Sequence, residues 1–218
     1  MLVKFTKPIA TAIFLGTLAL SGATTAQAQN MAHAHIGHVT EGWGDTPEGK
    51  GLLPTAIAEA EIALFHAGLA ADQPDNLDWM KTHSLHVLHA VDSSAIAAGP
   101  GLGYGVRHAA EGVVTHIGFA AAADEATENV ELHAVHVSAS ARNTVVRVAA
   151  IVDVIDDIQA ASDAADAAAH VTEMQALVSQ LLDGNDTNGD GAVTWHENEG
   201  GLREVEKHMG LMRAGEGL

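Results

Sequence analysis

Two sets of side chains in this sequence have the types and spacing for metal chemistry. The first is a run of twelve residues, Asp186-Thr187-Asn188-Gly189-Asp190-Gly191-Ala192-Val193-Thr194-Trp195-His196-Glu197. Its alternating oxygen donors suit a hard cation such as Ca2+: Asp186, Asn188 and Asp190 through side chains, Ala192 through its carbonyl, Thr194 through a water, and Glu197 through both carboxylate oxygens. Gly191 stands where the backbone must turn too sharply for a side chain, and Val193 is the apolar residue that pins such a loop to its surroundings. The second set is histidine, fourteen in all. His66, His83, His86, His89, His108, His116, His133 and His136 lie in stretches with helical apolar periodicity. Neutral imidazole is the common protein ligand for zinc, copper, nickel and haem iron.

The acidic run resembles the calcium loop of the EF-hand family, and the resemblance covers the loop and its flanking helices. EF-hands usually pair through the residue at the Val193 position, and the chain contains no second loop. Val193 is therefore expected to be covered by the rest of the fold or to make a homodimer. Gly200-Gly201 fall where the exit helix should run, and each costs roughly 0.5–1 kcal/mol against Ala, so that helix is expected to be short or to begin at Leu202. Binding like that of extracellular modules implies a dissociation constant of about 10⁻⁴ to 10⁻³ M.

The elements that must carry the histidines read as helices. Pro54 marks the first turn of a helix to about Ala71, apolar nearly all round. Asp75 or Asn76 caps a second through Val91. After the glycine-rich loop Gly99–Gly105 a third runs from about Val106 to Ala123. A fourth, Glu125 to Ala160, places Val130, Ala134, Val137, Ala141, Val145, Val148, Val152 and Ile155 on one seam. A fifth from Asp163 to Leu182 leads into the acidic loop, and a short sixth follows. The expected fold is all-α, an up-down helical bundle followed by a single C-terminal EF-hand. Its divisions are residues 1–28 as signal peptide, 29–52 as a histidine-containing arm, 53–162 as the bundle, and 163–218 as fifth helix and EF-hand.

At 100° per residue His83, His116 and His133 fall beside the apolar stripes, where bundles build metal and cofactor sites. Gly112 stands midway between His108 and His116. Close approach of a neighbouring helix or a flat ring in the gap would each account for it. The stretches Phe65-His66-Ala67, His83 through His89-Ala90, Gly103 through His108, His116 and His133-Ala134-Val135-His136 resemble the small histidine-rich metal-binding proteins of the bacterial periplasm. That resemblance implies a four-helix bundle taking copper or other divalent ions. His33, His35 and His38 sit in the N-terminal arm, where they can capture copper or nickel or cap and pack on helix ends. His170, His196 and His208 are expected at the surface.

Lys4 and Lys7 precede the apolar run Ile9–Leu20, and Ala26-Gln27-Ala28 has the form of a signal-peptidase site. A soluble, periplasmic or secreted chain beginning after Ala28 is expected, because the run is too short to span a bilayer and no later segment reads as a span. Cleavage there moves the net charge from −18 to −20, which disfavours nucleic acid and anionic membranes as partners and favours cations. The absence of cysteine excludes disulfides, thiolate zinc sites and covalent c-type haem. No enzymatic motif is complete: His196-Glu197 lacks the second histidine of a zinc protease, Gly200 standing in its place. The expected function is an exported, non-catalytic protein that binds calcium at the loop and a transition ion (copper, zinc or nickel) at the histidines. The alternative is a b-type haem protein, with His108 or His116 facing His83 or His133. In a third reading, a calcium-dependent interaction module, the histidines only pack.

Overall fold

The structure, a computed structural model, describes residue 2 and residues 30–218. The expected signal segment, Leu2 apart, lies outside the described residues. Among the described residues there are seven α-helices and no strand: α1 Met31–Thr40, α2 Leu52–Ala71, α3 Leu77–Val91, α4 Val106–Ala122, α5 Glu128–Ala160, α6 Ala164–Asp183 and α7 Leu202–Glu216. The helix starts follow local chemistry. Asn30, Asn76, Thr127 and Asp163 each accept the backbone N–H three residues on, satisfying an orphan donor of the first turn.

The first departure from expectation is α1. The arm is an ordered helix, because Asn30 caps it and Ala32, Ile36 and Val39 bury one face, chiefly against α4. The core forms around α2, which touches α1, α3, α4, α6 and α7. Its buried Ala56, Ala60, Ala63, Ala67 and Ala70 recur at steps of four and three, a narrow stripe that lets neighbours approach closely. By length and composition α2 could cross a membrane, although no later span was expected from the sequence. In this fold it is the core helix.

The long α5 packs on α4, α6 and α7. Its seam begins as expected at Val130, Ala134, Val137 and Ala141. It then drifts, so that Thr144, Val148, Ile151, Ile155 and Ile158 are buried while Val145 and Val152 are only half-buried. A straight helix of 3.6 residues per turn rotates away from a 3.5-residue repeat, and the later positions change accordingly. Gly112 has the plainer of its two explanations. A Cβ there would lie 2.7 Å from Leu52 Cδ2, so the glycine admits the close approach of α2. The loop before α4 is tied down by Glu59, which is fully buried. Its carboxylate accepts N–H bonds from Leu102, Tyr104 and Gly105 at 3.0, 2.9 and 2.9 Å.

Candidate metal centres

Three groups of three histidines converge in this fold, and in each the candidate ligand atoms lie within 4.8 Å of one another. The first joins His35 and His38 of α1 to His116 of α4, with His116 Nδ1 at 3.0 Å from His35 Nδ1 and 3.2 Å from His38 Nδ1. The second joins His66 of α2 to His83 and His86 of α3; His66 Nδ1 and His83 Nδ1 are 3.1 Å apart, and His86 Nδ1 is buried with no hydrogen-bond partner. The third joins His133 and His136 of α5 to His208 of α7, whose Nδ1 lies 3.0 and 3.4 Å from theirs. Each group could hold a metal ion.

One design recurs. Two histidines three residues apart stand on one face of a helix, and a third comes from a neighbouring helix. The third histidine is always followed by a buried apolar residue and a glycine: His66-Ala67-Gly68, His116-Ile117-Gly118 and His208-Met209-Gly210. Nothing in the structure explains these glycines, since a Cβ at each would meet no atom within 4 Å. Each of the three tryptophans lies against one group. The Trp43 ring is 4.4 Å from that of His116 and 4.7 Å from that of His38. Trp79 is 4.3 Å from His83, and Trp195 is stacked on His136 at 4.3 Å. Such rings exclude water from one side of the imidazoles and hold their orientation.

Burial is the leading reason that His35, His66, His83, His86, His136 and His208 have pKa values below the ordinary histidine value. His116 is pushed down to about 4, by burial first and then by His38 and His35. At neutral pH these rings are uncharged lone-pair donors, the form a metal ion requires. A hydrogen between two facing nitrogens satisfies one pair. An ion at about 2.0–2.1 Å from each satisfies all three.

The remaining histidines have other partners. His89 Nδ1 donates to the Pro100 carbonyl at 2.9 Å and is buried against the Gly99 loop, so it holds that loop and joins no group. His108 is exposed, with Nε2 3.4 Å from Asp45 Oδ2. The four histidines of the haem alternative do not face one another: His116, His83 and His133 belong to three separate groups, and His108 to none. His33 pairs with Glu216 at 3.0 Å. His208, expected at the surface, is only 7% exposed, because α7 begins at Leu202 and lays that face on α5. His35 and His38 likewise belong to the helical body. The tryptophans had not been singled out as companions of the histidines. A recurrent His-x-x-His together with His-x-Gly was the available signal.

The acidic loop is turned as expected at its start. Asp186 accepts N–H bonds from Gly189 and Gly191 at 2.7 and 2.8 Å, and both glycines have positive φ. It differs at its end. Glu197 is exposed. Glu199, two residues later and 1% exposed, turns inward and accepts from Asn188 Nδ2 at 2.7 Å, Thr194 N at 3.1 Å and Thr194 Oγ1 at 2.7 Å. The reason lies on α5. Asn143 bonds the His196 carbonyl and the Asn198 N–H at 2.8 and 3.0 Å, and Arg147 donates to the carbonyls of Asn198, Glu199 and Gly200. These bonds hold residues 196–199 in a tight turn, with Asn198 at φ 64°, where an exit helix would otherwise begin. Val193 is half-buried, with its Cγ1 against Gly184.

No protein-family model, curated protein or solved structure matches this chain.

Proposed function

We propose that this is an exported, non-catalytic protein that binds and buffers transition-metal ions at three histidine sites, with a calcium-binding loop ordering its C-terminal end. The observation that supports the first part is the threefold convergence of histidine ring nitrogens within 4.8 Å of one another, each group backed by a tryptophan. Imidazole ligation suits copper, zinc or nickel. The calcium part rests on the order of oxygen donors from Asp186 to Thr194, and Glu199 supplies the inward carboxylate in place of Glu197. Export rests on the N-terminal sequence.

The test is elemental analysis of the mature, tag-free protein after equilibration with calcium, copper, zinc and nickel and desalting, paired with titration. Three transition ions per chain are expected. Substituting His116→Ala, His66→Ala or His133→Ala should remove one ion each. Retention of none would refute the reading, and so would ions that survive all three substitutions together.

A further inference from the structure

The three histidine groups are alike in ligands and differ in what stands behind them. Of the nine imidazoles, His208 is the one whose remote nitrogen meets a carboxylate among the described residues: His208 Nε2 lies 3.0 Å from Glu204 Oε1, one turn earlier on α7. Both side chains are 7–9% exposed. This bond places the imidazole proton on Nε2 and leaves Nδ1 as a lone pair directed at His133 and His136. Lys207 Nζ holds the two Glu204 oxygens from the solvent side at 3.0 and 3.1 Å, with its own side chain 58% exposed. In the second group Asp72 lies near enough to His83 to act on its charge but makes no hydrogen bond to it. The first group is backed by aromatic rings, Trp43 and Phe119.

Resting on the reading that these groups bind metal, we infer that the third group is the preferred site for a divalent ion of the zinc class, and that Glu204 is the positioning residue that makes it so. A carboxylate on the far side of a ligand imidazole raises its basicity and adds a negative charge to the shell. A divalent ion feels twice the attraction that a monovalent ion does. Burying an ion in a neutral shell costs more the higher its charge, so the first and second groups discriminate less against monovalent Cu+. Lys207 moderates the effect from outside, where solvent screens it.

Three single-site proteins test this: His66→Ala with His208→Ala leaves the first group, His116→Ala with His208→Ala the second, and His66→Ala with His116→Ala the third. Affinities for Zn2+ and Cu+ are measured by competition with chromophoric chelators. The third group should have the tightest Zn2+ affinity and the highest preference for Zn2+ over Cu+. Adding Glu204→Gln there should weaken Zn2+ binding by about 10- to 100-fold and Cu+ binding far less. Lys207→Ala, at an exposed position, should tighten Zn2+ binding and tests the same charge should Glu204→Gln unfold. Equal loss for both ions on Glu204→Gln, as a merely structural role would produce, or unchanged Zn2+ affinity, overturns the inference and leaves three-site binding intact. A parent chain that retains neither ion overturns the metal-binding reading itself.

Discussion

The acidic loop and the histidine groups place donor atoms by opposite means. The loop gathers its oxygens from residues 186–199, so local turns and two positive-φ glycines set most of its geometry. The histidine groups gather nitrogens from residues 17, 75 and 81 positions apart, each held on a helix whose position is decided by packing elsewhere. Rigid helices place a ligand more precisely than a loop can, but only after the chain has folded. A site of the first kind should survive loss of the bundle's finer packing, and one of the second kind should not. The two meet at Trp195, a loop residue stacked on His136.

The largest expected effect is on thermal stability. Ions that bind only the folded chain stabilise it by about 2.7 kcal/mol per site at a free concentration 100 times the dissociation constant. Loading all three groups should therefore raise the melting temperature by many degrees in calorimetry, and the combined variant His66→Ala, His116→Ala and His133→Ala should lose that gain while keeping its response to calcium. A calcium response that disappears with the histidines would erase the distinction between local and assembled sites.

Arg147→Ala should come next. It removes a buried guanidinium that donates to three loop carbonyls, for a cost of about 1–3 kcal/mol. Chemical denaturation would read the loss. Weakening of calcium binding without loss of transition-metal stoichiometry would show that α5 shapes the loop independently of the third histidine group.

Acid should distinguish the two kinds of site further. With His116 held at about 4 in the fold against 6.5 for an ordinary histidine, the unfolded chain binds protons that the folded chain refuses. Stability of the metal-free protein should fall as pH drops from about 6.5 towards 4. Transition ions compete with those protons, so metal release is expected over the same acid range, followed by chelator assay at graded pH.

The smallest effect separates two neighbouring carboxylates. Glu197→Gln should leave the calcium-dependent change in tryptophan fluorescence nearly unaltered, whereas Glu199→Gln should abolish it. The opposite order would restore the twelve-residue spacing read from the sequence.

Periodicity and capping residues made six of the seven helices readable, α1 excepted, because an apolar stripe at three and four residue steps has no other compact solution. The acidic motif was equally plain, since its donors are consecutive. Helical periodicity also placed His83, His116 and His133 beside the apolar stripes. Which helices faced one another was not legible. His208 looked like a surface residue until α7 was seen to lie on α5. His35 and His38 could be read as a metal-capturing arm or as packing on helix ends, until Asn30 was found capping a helix of their own. His108 looked equivalent to His116 until Leu52 was found between them, with His108 turned outward. The inward turn of Glu199 depends on Asn143 and Arg147, more than fifty residues earlier. Residue types and local periodicity thus determined the helices and the donor chemistry. The partnering of donors was decided by long-range packing, because a side chain on a helix acquires its neighbours only when another helix is buried against it.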